Sequence, residues 1–140
     1  MKIAVSACLL GENCKYNGGN NRSEKVLAFL QERGAEAVPV CPEVLGGLPT
    51  PRVPAEIVKG MVTNREGVVV DEAFRRGAEE ALRIVRASGA ELVILQSRSP
   101  SCGAKEVYDG TFTGTLVPGR GVFAEKLAES GIAVIDAGDI

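Results

Sequence analysis

Residues 91–96 read Glu91-Leu92-Val93-Ile94-Leu95-Gln96, a short run with a continuous apolar centre. A run of this length and pattern is a strand, and its surroundings decide the fold. Before it, Asp71 can cap a long helix reaching about Ser88, with Phe74, Ala78, Ala81, Leu82 and Val85 on one stripe. After it come a loop over 97–114, a helix near 122–130 and a last strand at 132–135. Toward the amino end, residues 2–7 read as a buried strand, followed by a Gly- and Asn-rich loop through Asn21. A helix then runs from about Ser23 to Arg33, capped by Ser23 or Asn21 and ended by Gly34. Residues 35–40 form the next strand, although Pro39 would remove a ladder bond from a central position.

Between the second strand and the long helix lies a Pro/Gly loop over 41–54. It leads into a small insertion in which 55–62 and 67–70 pair as a hairpin around the turn-like residues 63–67. Strands alternating with helices mean a mostly parallel sheet covered on both faces. Right-handed crossovers favour the strand order 2-1-3-4. The expectation is therefore α/β, a three-layer sandwich with a small β-hairpin insertion, and residues 1–140 as a single domain.

Composition narrows the chemistry. Eighteen acidic against sixteen basic residues leave a net charge of −2, unlike the basic footprint of a general nucleic-acid binder. No run approaches the ~20 apolar residues of a membrane helix. The start Met1-Lys2-Ile3-Ala4-Val5-Ser6-Ala7-Cys8 imitates a lipoprotein cleavage site, but its apolar run is too short for a signal sequence. A cytoplasmic protein with free thiols is the expectation. The chain has no histidine, which removes histidine-based triads, histidine-rich zinc sites and two-histidine iron sites.

Four cysteines remain, and three are placed alike. Cys8 follows the first strand, Cys41 the second, and Cys102 lies shortly after the third. Ligands of open α/β sheets bind outside the carboxyl ends of the strands, at the switch point of strand order. With order 2-1-3 these three ends are neighbours, so three thiols distant in sequence converge on one crevice. A single cysteine is more often a small buried hydrophobe, and there is no C-x-x-C spacing to mark a zinc ribbon or ferredoxin. Three thiolates suit zinc or an iron–sulfur cluster, and a site with three protein ligands keeps a metal position open for chemistry. Cys14, in the polar loop, could close such a cluster or sit beside it. A Cys-ligated zinc module of structural or regulatory kind, and a metal-free thiol sulfur carrier, are the alternatives. Gly18-Gly19 and Gly46-Gly47 complete neither a G-x-G-x-x-G nor a Walker A pattern, which disfavours nucleoside triphosphates.

A series of motifs carries a resemblance over essentially the whole chain. They are Ser6-Ala7-Cys8-Leu9-Leu10-Gly11, Tyr16-Asn17-Gly18-Gly19, Cys41-Pro42-Glu43, and Gly46-Gly47-Leu48-Pro49-Thr50-Pro51-Arg52 with Pro54-Ala55-Glu56. Ser99-Pro100-Ser101-Cys102-Gly103 and Tyr108-Asp109-Gly110-Thr111-Phe112 complete them. In this order they resemble the DUF523, thiouracil desulfidase-like family. The resemblance implies a [4Fe-4S] cluster bound by Cys8, Cys41 and Cys102, with Glu43 and Ser99 as catalytic residues. It also implies removal of sulfur from a thiolated pyrimidine, giving the carbonyl product and sulfide without net electron transfer. Related members, some with an extra domain, act on thiolated nucleosides in tRNA. With no dedicated RNA-binding domain in these residues, a free base or nucleoside is expected as partner, along with cluster-assembly machinery. Ser101, Arg52 and Lys105 are candidate substrate contacts. Where the family carries Asp after the tyrosine, this chain has Asn17.

Overall fold

The structure, a computed structural model, describes residues 1–140. Strands β1 (Lys2–Ser6), β2 (Glu36–Val40), β5 (Leu92–Leu95) and β8 (Ala133–Asp136) form a parallel sheet in the order β2-β1-β5-β8. In terms of these four strands that is the expected order 2-1-3-4. Pro39 is accommodated because β2 lies at the sheet's edge, where a missing ladder donor costs little.

The period-2 alternation of the strands divides two cores. Ala4, Val93 and Leu95 face helices α3 (Asp71–Ser88) and α4 (Val122–Glu129), packing with Ala78, Ala81, Val85, Phe123 and Leu127. Ile3, Val5 and Ile94 face the other way and meet Val26 and Leu30 of α1 (Glu24–Glu32). Because β1 and β5 are covered on both faces, their apolar runs are continuous. Ser23 caps α1, its hydroxyl accepting the Val26 N–H at 3.2 Å. The predicted α3 stripe is the buried face of that helix, and each large side chain fully buried there contributes roughly 1.5–3 kcal/mol.

Three local expectations change. Asp71 is not the cap of α3 but its first residue, with Val70 in the cap position. Its carboxylate reaches back to accept the Val62 N–H at 2.9 Å and Arg75 Nε at 2.6 Å, tying the hairpin to the helix. The hairpin pairs β3 (Ala55–Val58) with β4 (Met61–Asn64), so its turn is Lys59-Gly60, inside the segment read as one strand. Both turn residues have positive φ, 50° and 82°, which suits a two-residue connection between twisted strands. Residues 67–70 add a Thr63–Val69 bridge to it, with the Val70 N–H donating to the Val62 carbonyl at 2.9 Å and the Asn64 N–H to the Val68 carbonyl at 2.8 Å. A second hairpin pairs β6 (Glu106–Tyr108), inside the segment read as loop, with β7 (Leu116–Pro118) just beyond it.

The Pro/Gly segment after β2 holds the single-turn helix α2 (Pro42–Leu45), with Pro42 at its start. It lies directly on α3. A Cβ at Gly77 would stand 1.8 Å from the Pro42 carbonyl oxygen, and one at Gly46 2.0 Å from that of Ala73. Only glycine permits this backbone-to-backbone contact. Arg76 Nη2 adds a bond to the Gly46 carbonyl at 2.7 Å. The residue after Pro42 is Glu43, so two glycines decide where that carboxylate stands.

Candidate active site

At the carboxyl edge of the sheet, Cys8 lies in a 3-10 turn (Ala7–Leu10) directly after β1, and Cys41 occupies the cap position of α2 directly after β2. Cys102 follows β5 through a turn whose shape Ser99 sets. The Ser99 hydroxyl accepts the backbone N–H groups of Ser101 and Cys102, both at 3.1 Å. This is an ST-type turn, made by a hydroxyl two and three residues upstream of the donors. The chain crosses from β2 to β5 on either side of β1, so these ends flank the switch point at which α/β sheets hold ligands.

All four cysteines are free, with Cys102 buried and the others half-buried. Burial pushes the Cys8 thiol up; an Asn21 hydrogen bond pulls against it, and the nearby charges of Cys41 and Glu43 add to the rise. The Cys102 thiol is pushed up to about 12, chiefly by burial, with the nearby Ser6 and Ser101 hydroxyls pulling the other way. Cys14 is also pushed up to about 12, first by burial and then by Cys41, whose side chain it meets, and by Cys8. The fourth thiol thus stands among the others, next to Cys41.

Glu43 is the centre of the polar part. Its Oε1 accepts Arg52 Nε at 2.9 Å, and its Oε2 accepts the Ser101 hydroxyl at 2.8 Å. Ser101 has one proton, and the carboxylate can only accept. The 2.9 Å contact between the two hydroxyls therefore runs from the Ser99 O–H to Ser101 Oγ. Ser101 is 1% exposed, so this chain of hydroxyls is fixed within the loop.

The structure thus joins Glu43, Arg52, Ser101 and Ser99 in one network beside Cys8, Cys14, Cys41 and Cys102. Lys105 stands apart in an exposed ion pair with Asp139 at 2.8 Å, with no hydrogen bond to that network. Two contacts went unread in the sequence. Asn21 Nδ2 lies 3.5 Å from Cys8 Sγ, and Ser6, which accepts the Gln96 N–H at 2.9 Å, also serves Cys102. Ser6 ends β1 two residues before Cys8, a position that could have marked it; nothing local marks Asn21.

The donor set is sulfur only, which suits soft metals. Thiols from separate loops after β1, β2 and β5, with no histidine in the chain, are a donor set that the irons of an iron–sulfur cluster accept.

Fold and site define the class: an α/β protein whose carboxyl-edge crevice combines soft thiol donors with a carboxylate–hydroxyl network. Residues 3–139 match the 2-thiouracil desulfurase family, and the chain belongs to it. It is 39% identical to the uncharacterized protein YbbK of Bacillus subtilis (strain 168), over 99% of this chain and 97% of that protein. Among solved structures it resembles the [4Fe-4S]-dependent thiouracil desulfidase TudS (DUF523Vcz), with TM-score 0.91 and 41% identity. That match covers 99% of this chain and 92% of the other. The DUF523 resemblance and the α/β fold read from the sequence are both borne out. No helix is long and apolar enough to cross a membrane.

Proposed function

We propose that this chain is a [4Fe-4S]-dependent desulfidase acting on a thiolated pyrimidine base or nucleoside of the thiouracil kind. The observation that carries this reading is the Glu43 carboxylate, held by Arg52 at 2.9 Å and Ser101 at 2.8 Å beside the site's thiols. The resemblance to TudS supports the cofactor and the substrate class.

Cys8, Cys41 and Cys102 would hold the cluster, and Cys14 stays outside the ligand set as a neighbour of Cys41. When bound, the cluster supplies a Lewis-acidic iron with affinity for the sulfur of a thiocarbonyl. Glu43 acts as general base, taking a proton from the water that adds to the thiocarbonyl carbon. Ser99 donates to Ser101 at 2.9 Å and Ser101 to Oε2 at 2.8 Å, so the two hydroxyls hold the carboxylate in place while Glu43 carries that proton. Returned to the departing sulfur, it lets the C–S bond break as the C=O bond forms. Water supplies the oxygen and both protons of the released hydrogen sulfide, so nothing is oxidised or reduced. The setting is the cytoplasm, where free thiols persist and assembly machinery loads clusters.

Anaerobic purification or reconstitution with iron and sulfide, followed by turnover of 2-thiouracil in oxygen-labelled water, tests this. About four irons and four sulfides per chain are expected, with label at the carbon that carried sulfur and free sulfide in solution. Zinc without iron would overturn the cofactor. A four-iron protein inactive on every thiolated base and nucleoside would overturn the substrate class.

A further inference from the structure

Arg52 is a candidate substrate contact by sequence, but its surroundings give it different work. Its side chain is 8% exposed, unusual for an arginine on a Pro-rich loop. Nε donates to Glu43 Oε1 at 2.9 Å and Nη2 to the Cys14 carbonyl at 2.8 Å. Nη1 donates to the Pro49 carbonyl at 3.2 Å and to Thr50 Oγ1 at 3.1 Å. A guanidinium carries five N–H groups, and these bonds occupy four of them, leaving at most one for anything else. The backbone N–H of the same residue donates to the Tyr16 carbonyl at 2.7 Å.

We infer that Arg52 is a positioning residue: its rigid fork sets the direction of the Glu43 carboxylate and locks it to the loop that carries Cys14 and Tyr16. The inference rests on the reading of Glu43 as general base. Glu43 sits in a single-turn helix, Pro42–Leu45, too short to hold a flexible side chain by itself. Unsupported, its carboxylate would sample several rotamers, and a displacement near 1 Å costs on the order of 100-fold in rate. Arg52 takes one oxygen and Ser101 the other, so each oxygen of the carboxylate is held by its own bond. Lysine, a point charge on a flexible stem, cannot reproduce the four-way fork. The cost of burying a guanidinium is met only because every bond is made at once, which closes the 46–52 loop onto the 12–19 loop.

The test is a double-mutant cycle on the cluster-loaded enzyme, with Arg52→Lys and Glu43→Gln made singly and together. Arg52→Lys alone should lower kcat at least ~10-fold, leave KM within about threefold and keep the iron content. In the Glu43→Gln background the same change should cost less than about twofold, since the group it positions is gone. Equal losses in both backgrounds, or a change in KM alone, would overturn the inference. Where Arg52→Lys does not fold, Arg52→Gln enters the same cycle with the same outcomes. A crystal structure gives a readout free of turnover: Glu43 should occupy one rotamer with Arg52 and several without it. An unchanged Glu43 rotamer in the variant rejects the positioning role, whereas an inactive wild type with a full cluster rejects only the desulfidase reading.

Discussion

The Ser101 hydroxyl donates to Glu43 Oε2 at 2.8 Å across 58 positions of sequence, joining the loop after β5 to the helix after β2. The two ends of that bond belong to loops that also carry Cys102 and Cys41. Any movement of one thiol-bearing loop is therefore felt at the carboxylate, and the consequences can be measured.

Glu43→Gln is expected to keep the cluster and bind substrate but to lose at least ~100-fold in turnover, the lower range of general acid–base help. Ser101→Ala breaks the bond to Oε2 and the contact with Ser99 together. It should therefore cost at least as much as Ser99→Ala. Steady-state kinetics with iron quantification checks both. Near-normal turnover in Glu43→Gln with full iron would remove Glu43 from the chemistry.

Replacement of Cys8, Cys41 or Cys102 by serine should each abolish a stable four-iron cluster, as read by visible absorbance, iron and acid-labile sulfide. Cys14→Ala should retain it. Loss of the cluster in Cys14→Ala together with its survival in Cys102→Ser would reverse the ligand assignment.

Gly77→Ala adds a methyl group that would stand 1.8 Å from the Pro42 carbonyl oxygen. The helix gains propensity from alanine, about 1 kcal/mol, yet overpacking of this kind typically costs 1–3 kcal/mol. Lower thermal stability and a reduced kcat are expected together, because α2 carries Glu43. Unchanged stability in calorimetry would mean that α2 can move away freely.

Acid stability should report on Asp71. Burial pushes its carboxyl up, but the Arg75 bond and the Val62 N–H outweigh this, and the net effect holds it below the ordinary range. A carboxyl lowered on folding stabilises the protein above its unfolded pKa, near 3.9, and loses that contribution as pH falls through the lower folded value. Asp71→Asn should then cost roughly 1.5–3 kcal/mol near pH 7 and progressively less below about pH 4. Denaturant unfolding across that range, with a constant difference between the two proteins, would contradict the ion-pair account.

The sequence by itself determined the elements whose pattern is local. The apolar stripe from Phe74 to Val85 is written at helical spacing, and the runs in β1 and β5 at the spacing of buried strands. Alternation of the two, with right-handed crossovers, leads to the sheet order and so brings the strand ends that precede Cys8, Cys41 and Cys102 near one another. The second hairpin and the single turn of α2 were not legible, because three- and four-residue elements stand on tertiary contacts and not on propensity. Nor was the Lys59-Gly60 turn, which a longer apolar run disguised.

Only the tertiary structure decided what Arg52 and Ser101 do. In sequence they are an arginine and a serine in loops, open equally to solvent, substrate or partner. Their bonds to Glu43 span 9 and 58 positions, and Arg52 reaches the Cys14 carbonyl across 38. Contacts at those separations depend on how layers pack, here on Gly46 and Gly77 letting α2 and α3 touch backbone to backbone. A polar side chain has no periodic signature of its own. Its role is set by which donors and acceptors the fold leaves within about 3 Å of it.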